Sequence, residues 1–154
     1  MTSIVRQRFE ERANELADCA SLTIESDEYA EWLRIVPNDI RALSVYLYRL
    51  LEHGGYDAQI SHDHPGAIPL EGPTEAIDVD YMVDLAVEGR LRVYVISPRS
   101  SVTEELRDGE YEGKRRYGLR AMFRLPGWRR RATQMTFVPY RTPPAHEIGK
   151  PADS

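Results

Sequence analysis

The sequence predicts an α+β protein, with N-terminal helices packed on a mainly antiparallel sheet of about five strands. Three observations lead there. Apolar residues recur at helical spacing as far as Gly54-Gly55. Beyond that pair the pattern changes to short β-branched and aromatic runs separated by Gly and Pro. At 154 residues with 42% hydrophobic side chains, the chain is long and apolar enough for one core. Residues 1–140 read as a single α+β domain and 141–154 as a weakly structured tail.

Val5, Phe9, Ala13, Leu16, Ala17 and Ala20 predict an amphipathic helix over residues 3–20. A second helix is expected after Ser26 or Asp27, because Tyr29, Trp32, Leu33 and Val36 fall at i, i+3, i+4 and i+7. Pro37 ends it. Asn38 or Asp39 caps a third, with the stripe Ile40, Leu43, Leu47, Leu50 and Leu51. Tyr56–Ser61 reads as a strand and residues 62–75 as a Pro- and Gly-rich loop. Ala76–Val87 and Leu91–Ser97 read as a hairpin around Glu88-Gly89-Arg90. Residues 98–113 are polar and read as loop or short helix. Tyr117–Leu125 and Arg129–Tyr140 complete the sheet as strands joined at Pro126-Gly127, which is type II turn chemistry.

Charge is distributed unevenly. Residues 1–113 hold ten arginines against twenty-three acids, whereas 114–154 hold ten basic residues against two acids. Lys114–Arg131 contains eight basic side chains and no acidic one. Such asymmetry points to a surface for an anionic partner. Eighteen of the twenty basic residues are arginine, whose planar fork suits phosphate and carboxylate.

With the turn at Pro126-Gly127, Arg124 faces Arg129 across the predicted hairpin. One hairpin face then carries Arg120, Met122, Arg124, Arg129 and Arg131. The other carries Leu119, Ala121, Phe123, Leu125, Trp128 and Ala132, with Arg130 placed to cover Phe123 or Trp128. Cross-strand like charges destabilise by a few tenths to about 1 kcal/mol per pair. Something must offset them. The protein's own acids of residues 71–112 are one candidate, with Glu75, Asp78, Asp80, Asp84 and Glu88 well placed by sequence. An external polyanion is another. Lys114, Arg115 and Arg116 would add phosphate contacts, and Tyr111, Tyr117 and Trp128 would offer rings for unpaired bases.

Other chemistry is sparse. His53, His62 and His64 lie close together, and His62 and His64 are the metal candidates if strand geometry continues past Ser61. Asp80, Asp84 and Glu88 lack the lysine that a metal-dependent nuclease hairpin needs. Cys19, the one cysteine, sits on an apolar helix face and reads as a structural thiol. No phosphate-binding glycine loop and no nucleophile elbow occurs. The early charges Arg6, Arg8 and Glu10, the lone cysteine and the lack of a long apolar run predict a cytoplasmic chain without a leader or membrane span.

The expected function is therefore binding without catalysis and without a cofactor. Nucleic acid or a nucleoprotein complex is the expected partner, held by Lys114, Arg115, Arg116, Arg120, Arg124, Trp128, Arg129 and Arg131. The alternative is a protein-interaction module (an inhibitor, adaptor or assembly subunit) docking an acidic protein on the same residues. A His/Asp metal-dependent hydrolase comes third.

Overall fold

The computed structural model describes residues 3–52, 54–61, 70–71, 75–118 and 126–141. It is α+β, but it contains two antiparallel sheets in place of the one predicted. Helix α1 (Ile4–Glu15) is followed by strands β1 (Ala20–Ser26), β2 (Ala30–Pro37), β3 (Ser44–Leu50), β4 (Asp57–Ser61) and β5 (Leu70–Glu71). These form the first sheet, in the order β1-β2-β3-β4-β5. Helix α2 (Ala76–Val87) leads to β6 (Leu91–Ser97), β7 (Ser100–Arg107) and β8 (Glu110–Tyr117). A single helical turn, α3 (Trp128–Arg131), precedes β9 (Thr133–Thr136). The second sheet runs β8-β7-β6-β9.

Only the first of the three predicted N-terminal helices forms. The second and third are strands. In β2, Leu33 and Ile35 face the core while Trp32, Arg34 and Val36 alternate outward. In β3, Val45 and Leu47 face inward and Tyr46 and Tyr48 outward. The β-branched and aromatic residues suit a half-buried pleated surface. The apparent helical stripe of residues 40–51 arose from apolar residues that belong to both faces of a strand and its flanks.

The error runs the other way at Ala76–Val87, which is helix. Val79, Met82, Val83 and Ala86 are spaced i, i+3, i+4 and i+7, and all are buried. Gly89 ends the helix instead of turning a hairpin. Its φ is +63°. Gly89 N donates to Ala86 O at 3.1 Å and Arg90 N to Leu85 O at 3.0 Å, the Schellman pattern. Residues 98–113, read as loop or short helix, form the β7–β8 hairpin. Its two-residue turn is Asp108-Gly109, with φ of 50° and 83°, as a type I′ turn requires.

The main core lies between the inner face of the first sheet and the two long helices. Leu33 pairs with Leu47, Ile35 with Val45, and Val45 with Ile60. Phe9 and Ala13 of α1 and Val79, Met82 and Val83 of α2 close over them, and Leu91 of β6 joins the same cluster. The helices are also tied by charge. Arg12 reaches Asp80 at 2.8 Å and Asp84 at 2.6 Å, and Arg8 reaches Asp80 at 2.9 Å. At the start of β2 the buried Glu31 carboxylate accepts from Arg6, Arg49 and the Tyr56 hydroxyl. No helix among the described residues is long and apolar enough to cross a membrane.

Candidate anion-binding face of the second sheet

The predicted basic hairpin does not form. Arg129 and Arg131 stand in α3, not in a strand. The strand that follows, β9, pairs with β6. Arg129 therefore stands in no ladder. Arg120, Arg124 and the rest of 119–125 lie outside the described residues. Gly127 does take the positive φ that its turn chemistry implies, at 76°. The chain then coils into a helical turn, because Trp128 can settle on the second sheet from there.

Several of the predicted residues still converge on one face of that sheet. Across the ladder, Tyr94 is opposite Val102, Val102 is opposite Arg116, and Glu104 stands between Arg92 and Lys114. Directly paired residues share a face. Trp128 and Ala132 pack on Tyr94 and Val102, with the Trp128 ring edge-on to Tyr94 at 5.3 Å. The backbone of Lys114 and Arg115 lies in the edge strand β8, opposite Glu104 and Thr103.

At the centre is Glu104, 1% exposed. Arg92 Nη2 approaches one of its oxygens at 2.5 Å and Arg129 Nη2 the other at 2.7 Å. Burial pushes its carboxyl up, but the two guanidiniums outweigh burial and hold it below the usual carboxylate range. The Arg92 guanidinium lies 3.8 Å from the Tyr111 ring centroid and 5.3 Å from that of Tyr94. Arg129 covers Trp128 at 5.2 Å. The arginine over Trp128 is thus Arg129 and not Arg130.

Among the described residues the acid that neutralises part of the basic segment is Glu104, which lies within the acids of residues 71–112 but is none of the five singled out. Asp80 and Asp84 are engaged by α1, and Glu88 pairs with Arg90 at 3.2 Å. Among the described residues, three arginines of the segment are turned to solvent and make no ion pair. Arg116 and Arg130 are exposed and make no side-chain hydrogen bond or ion pair to another described residue. Arg131 is exposed and donates to Pro126 O at 3.1 Å.

His62 and His64, the metal candidates, and His53 lie outside the described residues. Among the described residues no three His, Cys, Asp or Glu side chains are grouped to hold a metal. Cys19 is buried, as expected, with Sγ 3.5 Å from Leu16 O, and burial holds its thiol pKa up.

Sequence reasoning missed an aromatic surface on the outer face of the first sheet. Trp32 and Tyr48 stack at 6.4 Å, and the Arg34 guanidinium lies 4.8 Å from the Tyr46 centroid. A groove of about 310 Å³ is lined there by Thr23, Glu25, Trp32, Arg34, Val36 and Tyr46. The alternation Trp32-Arg34-Val36 carried the signal, but the helical reading hid it. Comparisons with protein-family models, with curated proteins and with solved structures found no match for this chain.

Proposed function

We propose that the protein is a non-catalytic binding module that holds single-stranded nucleic acid on the basic and aromatic face of the second sheet. One observation carries this reading. Arg116, Arg130 and Arg131 are exposed around Trp128, while the one carboxylate at the centre of that face is already taken up by Arg92 and Arg129. A partner's phosphates would meet cations there without competing for Glu104. The shape of that face supports a single strand over a duplex. A protruding two-stranded ribbon fits a major groove, whereas a sheet face mixing arginine with Tyr and Trp suits phosphates and unpaired bases. Contacts of this kind confer affinity with little sequence choice.

Fluorescence anisotropy with labelled single-stranded and duplex oligonucleotides at low salt tests the proposal. The single strand binds more tightly, and reversing Arg116, Arg130 and Arg131 to Glu abolishes most of the signal. Flat anisotropy for both strand states removes the reading. Co-purification of a protein that survives nuclease treatment, and is lost in the same triple variant, would favour an acidic protein partner instead.

A further inference from the structure

We propose that β1 is the seam of a homodimer, pairing antiparallel with β1 of a second copy so that the first sheet continues across a two-fold axis. The described residues present four sheet edges, β1, β5, β8 and β9. β5 has two residues and β9 has four. β8 is longer, but it carries Lys114, Arg115 and Arg116, and its pairing with β7 shifts register between Glu104 and Glu105. Shortness, basic charge and bulges are the devices that keep an edge from pairing. β1 has none of them. Its seven residues pair with β2 without a register shift. Glu25 is its only charged residue, and every side chain from Thr23 to Ser26 is exposed.

The hydrogen-bond alternation gives the free backbone groups. Asp27 N donates to Ala30 O at 3.0 Å and Asn38 N to Cys19 O at 2.9 Å. In an antiparallel ladder the bonded pairs recur every second residue. Ser21, Thr23 and Glu25 therefore bond toward β2. The amides and carbonyls of Leu22, Ile24 and Ser26 point to the open edge, as does the Ala20 carbonyl, while the Ala20 amide donates to Leu16 O at 2.8 Å.

The strand is complementary to itself in the register those groups require. With the axis at Thr23, Leu22 pairs with Ile24 of the second copy through the free backbone groups of both, and Ser26 N of the second copy donates to the free Ala20 carbonyl. Thr23 meets Thr23 as a non-hydrogen-bonded pair. Ser21 meets Glu25, so no like charges oppose. Leu22 and Ile24 lie opposite Ile35 and Leu33, on the core side of the sheet. Ile24 is nevertheless 48% exposed, and the pairing would cover it with an apolar neighbour. Such an interface is isologous and closes at two copies.

Sedimentation velocity on the full chain over about 1–100 µM tests the seam. The expected species has twice the 17.7 kDa chain mass. Ile24→Lys weakens it at least tenfold, with circular dichroism unchanged. Thr23→Cys forms a disulfide-linked dimer on mild oxidation, because paired Cα atoms at such a position lie about 4.5 Å apart. Ser21→Cys does not, and the wild type, whose cysteine is buried, is the control. A wild-type chain that stays monomeric throughout overturns the proposal. So does a dimer indifferent to Ile24→Lys, or one cross-linked equally well at both positions.

Discussion

Glu104 is a buried carboxylate on a face otherwise supplied with cations, and one arginine closes on each of its oxygens. A carboxylate taken out of water without partners costs several kcal/mol, and the two charge-assisted contacts offset that. Glu104→Gln removes the negative charge while leaving Arg92 and Arg129 crowded together. It is expected to lower unfolding free energy by about 2–3 kcal/mol in a urea titration. The pH dependence follows from the same group. Its folded-state pKa lies below the ordinary value, so the unfolded chain binds more protons in acid. Its contribution is complete above the ordinary carboxylate range, about pH 4–5, and is lost as pH falls through the lower folded value. Asp80, held down by Arg8 and Arg12 against the opposing effect of burial, acts in the same direction. Unfolding free energy measured from pH 7 downward should therefore fall below about pH 4.5, with a shallower acid limb in Glu104→Gln. The basic segment was legible as a count of residues. Glu104 was not, because its own strand, β7, was read as loop or short helix and only its pairing with β6 and β8 buries it.

At the scale of elements, the strands read at β4 and β6 held, Ala76–Val87, also read as a strand, is a helix, and β2 and β3 were hidden by a chance helical spacing. The stripe Tyr29, Trp32, Leu33 and Val36 fits a helix as well as a strand with aromatics on its outer face. Length and β-branched content decide such cases, and in β2 they favour the strand. The Asp108-Gly109 pair was a readable hairpin signal that the polar composition of residues 98–113 obscured. Gly89 was read as a turn residue and is one, but at the end of α2. A Cβ there would stand 2.6 Å from Phe137 O, and the backbone is left-handed. Gly89→Ala should therefore destabilise by at least ~1.5 kcal/mol in thermal melts. A loss of only a few tenths would contradict the close approach of β9's flank to the helix end.

Across the whole molecule, the early acids and the late arginines are largely separate systems. Glu31, Asp39, Asp80 and Asp84 are engaged by Arg6, Arg49, Arg41, Arg8 and Arg12, all from the first half of the chain. Among the described residues, Glu104 is the carboxylate that reaches into the basic segment. That division leaves Arg116, Arg130 and Arg131 available to an outside anion, while the basic run on β8 also keeps that edge from pairing. The salt dependence of single-strand binding tests this division most directly. Plotted as log affinity against log salt, the wild type should fall steeply. The triple reversal Arg116→Glu/Arg130→Glu/Arg131→Glu should bind weakly, with a slope shallower by about 2, near 0.7 per lost phosphate contact. A wild-type affinity that does not respond to salt, or a slope the triple variant leaves unchanged, would contradict a polyanion site on this face.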